Sequence, residues 1–536
     1  MAYFSLHAYD ADVWIRQFRG LNQSDISLNS DPMWAAEEEN VETPHGVLQP
    51  QAAVRMLDGE FEDRVETLAV FTRRWYTGNG EHEWYVACAG GKFYQKQKGS
   101  RTGWMPIPLP VNITAYQSSA WSWVTYEINP QGVDATVDVL LLSNAKDGMI
   151  MIVPPDKPTT WGDIKNSNTW ETVKGSVSAL KTWLETASPK WQIITVDTQG
   201  KKFGVIERFA ERIWGSAIDD DPDMLMYSRP YDPTDWTEAG ENEEPEDGAG
   251  DILQPSWDGD KFYALKAFGD QLLAFKQNRI WRVIGTNPGE FNLREQFGGG
   301  TSCYETIAVD AERVFMADGN GMSVYDGMTT NPFLRDQIDK IWRTVNMNAL
   351  YQMVGTMYNR RYYLAFPTGD STVNNAMLIY DLDENTILFH KDIHIENFLS
   401  SKGELYATSS NLPGKILEVR YDSWKDGTAS GRPTKWVSPW MDFGYKRIAK
   451  GGFDLYFTPE VQTDPVTIQF SIQTEKKTKT KTYTIQPLTN KEYRNKRLHF
   501  GGTGRRFRLI IETANGVTAP WRLIGGIQLI VETDPD

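Results

Sequence analysis

The run Asp270-Gln271-Leu272-Leu273-Ala274-Phe275 is followed by the polar turn Gln277-Asn278-Arg279 and a second run, Ile280-Trp281-Arg282-Val283. Two short apolar segments joined by turn-forming residues read as a β-hairpin. The pattern recurs downstream. Arg313-Val314-Phe315-Met316-Ala317 leads through Asp318-Gly319-Asn320-Gly321 into Met322-Ser323-Val324-Tyr325-Asp326-Gly327, and upstream Trp84-Tyr85-Val86-Ala87-Cys88 runs into Ala89-Gly90-Gly91. Tryptophans at 104, 161, 214, 236, 281, 342 and 424 read as closing successive units. Hairpin pairs repeating at this spacing predict the blades of a β-propeller, because one such sheet cannot bury both of its faces alone.

The coarse units are 65–110, 119–161, 190–236, 262–297, 304–334, 351–390 and 393–424, seven within a range of six to eight. The predicted fold is all-β. Residues 1–64 form an N-terminal extended arm with a first strand, and 65–424 form the propeller, with an inserted loop at 216–260. Residues 436–536 form a C-terminal β-sandwich. Its strands are expected at Phe453–Phe457, Val466–Ile472, Thr482–Ile485, Arg497–Phe500, Phe507–Ile511 and Ile527–Val531, where apolar residues alternate between turns. Two helices are expected between blades. One spans 169–186, with Val173, Val177, Leu180 and Leu184 on one face, and one spans 336–350, with Ile338, Ile341, Trp342 and Val345.

At 536 residues the chain exceeds one ordinary core. Its 40% hydrophobic content, mean hydropathy of −0.48 and short apolar runs (Met149–Val153 among the longest) exclude membrane-spanning helices as the main architecture. An N-terminus bearing Asp10 and Asp12, with no basic segment before an apolar one, predicts folding in a cytoplasm. Cys88 and Cys303 are expected to fill strand interiors rather than form a bridge. Net charge is −16, unevenly spread: residues 436–536 hold 15 Lys+Arg against 10 Asp+Glu, leaving −21 on the rest. An acidic body argues against DNA wrapping, which needs a basic surface, and is compatible with DNA passing without adhering. From Glu238 to Asp251 seven of fourteen residues are carboxylates, a solvated loop without the ligand spacing of a calcium hand. Lys476-Lys477-Thr478-Lys479-Thr480-Lys481 and Arg505-Arg506-Phe507-Arg508 supply the local positive charge. They read either as a solvated hairpin face or as a contact with an acidic partner subunit.

No residues are assigned to catalysis, cofactor binding or metal ligation. The six histidines are His7, His45, His82, His390, His394 and His499. His390 and His394 have helical metal-ligand spacing, yet in a strand their Cβ atoms would lie roughly 13 Å apart. Gly298-Gly299-Gly300-Thr301-Ser302 lacks the lysine of a phosphate loop, and Asp381-Leu382-Asp383-Glu384 before Asn385 reads as a hairpin turn, not a glycosidase pair. The tryptophans serve packing between blades better than sugar stacking.

Three stretches carry a family resemblance: Phe18-Arg19-Gly20-Leu21-Asn22 with Asn40-Val41, then Leu272 through Pro288, then Val314 through Gly327. They resemble the propeller-bearing packaged-DNA stabilisation, or tail nozzle, proteins of tailed phages. That resemblance implies a non-enzymatic virion protein, synthesised in the host cytoplasm. It implies a ring, six-fold in this family, at the tail nozzle, neck or head-tail connector, which retains packaged DNA and conducts it during ejection. Its implied partners are further copies of itself, neighbouring tail, adaptor or fibre proteins, and genomic DNA in transit, with no membrane insertion. The alternative expectation is a receptor-binding or carbohydrate-cleaving propeller at a tail tip. No cofactor is expected in either case.

Overall fold

The computed structural model describes residues 9–24, 31–57, 60–74, 81–99, 103–128, 137–154, 191–254, 259–296, 298–401, 403–442, 449–487 and 495–534. Seven four-stranded antiparallel sheets follow one another along the chain. They comprise 65–106, 122–196, 205–253, 264–296, 308–333, 354–391, and 397–419 completed by 55–56, here called blades one to seven. Each of the first six is a meander whose first strand lies innermost. Blade seven takes its outer strand, Arg55–Met56, from the other end of the chain, pairing with Leu417 and Glu418.

The apolar cores trace the ring. Phe71 packs with Leu142 between blades one and two, and Leu141 with Ile213 between two and three. Trp214 packs with Leu272, Phe275 with Met316, and Phe315 with Leu364 across the next three seams. Ile379 joins Ala407, and Tyr406 joins Tyr85 to close blade seven onto blade one. Fully burying a side chain of this size contributes about 1.5–3 kcal/mol, so each seam rests on several such terms.

The C-terminal unit is a sandwich of a four-stranded and a five-stranded sheet. The six strands expected from alternation are all present. Val466, Ile468, Phe470 and Ile472 point inward from one sheet, against Phe453, Leu455 and Phe457 of the other. Three further strands complete it. Thr434–Val437 joins one sheet, and two come from the N-terminal segment: Tyr9–Ile15 pairs with Trp521–Asp534, and Glu37–Glu39 pairs with Thr434–Val437.

Residues 1–64 are therefore not a separate arm. They supply strands to the sandwich and to blade seven, and between these they dock on the outer strand of blade six. There the Leu21 amide donates to the Ile387 carbonyl and the Asn40 amide to that of Phe389. A Cβ on Gly20 would lie 2.0 Å from the Ile387 carbonyl oxygen, so the contact requires glycine.

The 216–260 segment also differs from its reading as a loop. Met224–Tyr227 and Gly250–Leu253 are the third and fourth strands of blade three, paired across the acidic stretch. Alternation over four residues is too short to identify a strand whose partner lies beyond so many charges. Likewise Gln192–Val196 belongs to blade two, not to the unit begun at 190. The tryptophans do not close units at a common position. Trp214 lies on a second strand, Trp281 on a third, Trp236 in a loop and Trp342 in a short helix. All four nonetheless pack in blade seams, as do several other aromatics. The 336–350 segment forms the four-residue helix Asp339–Trp342, with Ile338, Ile341, Trp342 and Val345 buried. The helix expected at 169–186, with Trp161 and His7, lies outside the described residues.

Candidate functional site

Inner strands of a meandering blade all run the same way, so the turns after first and third strands share one face. That face carries the mouth of the propeller and an adjoining polar pocket. The mouth hollow, about 500 Å³, is lined by Thr72, Asp310, Met357, Arg360 and Ser400, at or just beyond the ends of inner strands. Deeper along the inner strands, Glu207 and Lys266 approach to 4.0 Å. Burial raises the carboxyls of Glu207 and Glu305, against the opposing pull of Lys266.

Beside the mouth, the seam between blades seven and one is bridged by a polar network. The Tyr406 hydroxyl donates to Glu404 Oε2 at 2.6 Å, as does that of Tyr85 at 3.0 Å. Lys98 joins Glu83 at 2.8 Å and Glu404 at 3.3 Å. Burial pushes the Glu404 carboxyl up, but the hydroxyls and Lys98 outweigh it and hold the group below its ordinary value. Arg64 pairs with Glu396 at 2.7 Å and Asn397 Nδ2 donates to the Glu66 carbonyl, fastening the same seam. We expect Tyr406→Phe to destabilise the chain by about 1–2 kcal/mol in denaturant unfolding, since it removes a hydrogen bond to a charged acceptor. A change below about 0.3 kcal/mol would deny the network a structural role.

The adjoining pocket, about 320 Å³, lies where the N-terminal segment crosses blades six and seven. Its roof is the Pro44–Gly46 turn, held because Glu384 accepts from the His45 amide at 2.9 Å and meets His45 Nδ1 at 3.1 Å. Below, Arg361 binds Asp381 at 2.7 Å and stacks 3.9 Å over the Tyr421 ring. Asp381 also caps the turn read from Asp381-Leu382-Asp383-Glu384, accepting from the amides of Asp383 and Glu384. Beneath the roof Glu42 is fully buried. It accepts from the Asp422 amide at 2.9 Å and the Ala52 amide at 3.3 Å. Burial pushes its carboxyl up to about 7. Nearby Glu38, accepting from the Phe389 amide, is likewise raised well above its ordinary range by burial. The arrangement is a latch. Glu384, Glu42 and Glu38 each accept from a backbone N–H across the junction and so tie the N-terminal segment to blades six and seven, while Arg361, paired with Asp381 within blade six, reaches across to Tyr421.

The other sequence candidates fall elsewhere. His390 is buried at the latch, its Nε2 facing the Val41 carbonyl, and burial lowers it to about 3. His394 is lowered by burial too, and His499 pairs with Asp454 at 3.0 Å. His82 lies on the second strand of blade one. Among the described residues no three His, Cys, Asp or Glu side chains group to hold a metal ion. Gly298, Gly299 and Gly300 all have positive φ in the tight connection from blade four to five. Cys88 and Cys303 are free and buried, and burial pushes their thiols up to about 12 and 11. Glu42 and Glu404 carry no local motif; only the meeting of segments hundreds of residues apart distinguishes them from other carboxylates.

No family model matches the chain, and no curated protein does. Among solved structures it is similar to the Pan2 WD40 domain of Neurospora crassa, with 10% identity, 70% of this chain and 96% of that one covered, and TM-score 0.36. It is also similar to BBS1N from its complex with ARL6DN, with 9% identity, 77% and 97% coverage and TM-score 0.28. A third is a glycoside hydrolase family 43 arabinoxylan arabinofuranohydrolase from Bacillus subtilis, with 10% identity, 87% and 96% coverage and TM-score 0.23. No helix among the described residues is long and apolar enough to cross a membrane.

Proposed function

We propose that this chain is a structural subunit of a tailed-phage virion, assembling into a ring, six-fold on the family resemblance, at the tail nozzle or neck. Such a ring would retain packaged DNA and conduct it during ejection. The observation that carries the reading is mechanical: one N-terminal segment completes blade seven, lies along blade six and adds a strand to each sheet of the sandwich. A body stitched in this way resists being pulled apart at a domain boundary, as a pressurised conduit requires. The resembling motifs support it as well. Leu272–Phe275 with Ile280–Ile284 and Val314–Asp318 with Gly321–Tyr325 are the central hairpins of blades four and five. An acidic ring lumen would repel DNA phosphates and let the duplex slide.

The test is immunogold electron microscopy with antibody to this chain on phage particles. Gold at a single tail or neck vertex is expected. Unlabelled particles, with antigen on cells or free in the medium, would overturn the reading.

A further inference from the structure

At one end of the sandwich the two sheets part around a hollow of about 590 Å³. Its floor is apolar, formed by the buried Phe453, Ile472 and Phe500. Lys479 and Lys481 share the inward face of their strand with Tyr483 and Ile485, so lysines stand where the core pattern would place apolar residues. Lys476 and Lys477 stand on the rim. Across from them the strand Lys496–Gly504 carries Gly501 and Gly502, and a Cβ on Gly502, on the same face of the strand as the buried Phe500, would come within 3.7 Å of Lys479 Cγ. Absent side chains thus keep the slot open. Among the described residues none of these four lysines forms an ion pair with a carboxylate.

The complementary surface lies on blade three. The 238–247 stretch is held rigidly at its base. Arg212, itself buried, donates to the carbonyls of Ser228 (2.7 Å), Gly248 (2.6 Å) and Glu246. Arg229 donates to the carbonyls of Thr237 and Glu238 and binds Glu243 at 2.7 Å. A merely solvated loop needs no such bracing. Both arginines act mainly on backbone carbonyls. Among the described residues, the exposed carboxylates of Glu238, Glu241, Glu244 and Glu246 have no ion-pair partner.

We propose that the lysine-lined hollow of one copy receives the braced acidic spur 238–247 of a second copy. The charge division of the chain, +5 over residues 436–536 and −21 over the rest, favours such a contact and opposes sandwich-to-sandwich pairing. Because the two patches differ, the contact is head-to-tail and builds rings or open chains rather than closed two-fold dimers. The inference deepens the ring reading and rests on it for self-association.

Sedimentation velocity of the full chain at low and high salt tests it, with circular dichroism to verify folding. The wild type is expected to associate at low salt and dissociate as salt screens the contact. Lys479→Glu with Lys481→Glu, and separately Glu241→Lys with Glu244→Lys, should each weaken association at least about tenfold. Mixed together, these two variants should recover longer assemblies although neither associates alone, because the native spur of the first meets the native hollow of the second and the two reversed patches complement each other. All four changes in a single chain should restore longer assemblies.

Association that survives both reversals overturns this interface while leaving the ring reading intact. A wild type that stays monomeric at every concentration overturns the interface, and the vertex label in microscopy then decides the ring reading separately. If the wild type instead retains a short DNA duplex and Lys479→Glu with Lys481→Glu releases it, the occupant is a polyphosphate chain and the self-contact is wrong.

Discussion

A chain lacking residues 1–57 is expected to lose both domains together rather than shed a tail. The deletion removes the outer strand of blade seven and one strand from each sheet of the sandwich. It also removes Ile15, Phe18, Ala35, Val41 and Leu48 from the sandwich core and Leu21 from the seam between blades five and six. At about 1.5–3 kcal/mol for each of the larger side chains, the lost burial approaches the whole stability of an ordinary domain, about 5–15 kcal/mol. Near-ultraviolet circular dichroism melts of the full and shortened chains provide the measurement. The shortened chain should show no cooperative transition, or should precipitate. A shortened chain melting sharply within about 3 °C of the full one would refute the stitched architecture. Gly20→Val is the single-residue counterpart: its side chain would strike the Ile387 carbonyl, forcing the segment off blade six.

The second large effect is expected in the pH dependence of stability. Glu42 is raised by burial from its ordinary 4.5 to about 7. Below pH 4.5 the carboxyl is neutral in both the folded and unfolded chain, and its full contribution is present. As pH rises the unfolded chain releases the proton first, so stability falls until the folded group ionises near pH 7. Each pH unit between those two values costs about 1.4 kcal/mol, so the loss approaches about 3 kcal/mol. Glu38, raised in the same direction, adds to it. Glu404 works oppositely. Its lowered value gives stability that is present above the ordinary range and lost as pH falls through the folded value. His390, lowered by burial to about 3, opposes Glu42: its contribution is present above pH 6.5 and lost as pH falls toward 3, so the two trends offset where they overlap, between about pH 4.5 and pH 6.5. Unfolding in urea from pH 4 to pH 9 should show a net decline only above about pH 6.5, and Glu42→Gln should gain stability relative to the wild type steadily from about pH 5 to pH 7. An unchanged slope in the variant would remove Glu42 as the source of that decline.

Much of the architecture is legible in the residues, for a physical reason. Hairpins such as Leu272–Phe275 with Ile280–Ile284 pair locally, and their alternation and turn residues act over a dozen positions. Alternation assigns a face, however, and says nothing about a distant neighbour. Arg55–Met56 is two exposed residues long, and Tyr9–Ile15 (YDADVWI) mixes charges with apolar residues. Neither indicates that its partner lies hundreds of positions away. The same limit hid the fourth strand of blade three behind the acidic stretch. It hid the latch too, because Glu42 and Asp422 meet only after the ring has closed. The basic hollow was half legible. The lysine run stands out in the sequence, whereas the glycines that leave room opposite it acquire meaning only when Lys496–Gly504 is placed across the gap.

The pairing of Tyr9–Ile15 with Trp521–Asp534 also sets a clock on biosynthesis. The strand Tyr9–Ile15 leaves the ribosome early and finds its partner only some five hundred residues later. At about 5–20 residues per second, translating this chain takes on the order of a minute. Through that interval the Ile15 and Phe18 side chains have no native surface to cover them, and they are natural ligands for a chaperone. A prematurely terminated product can never complete its sandwich. It remains recognisably unfinished to proteases, and only full-length subunits reach the stage of assembly.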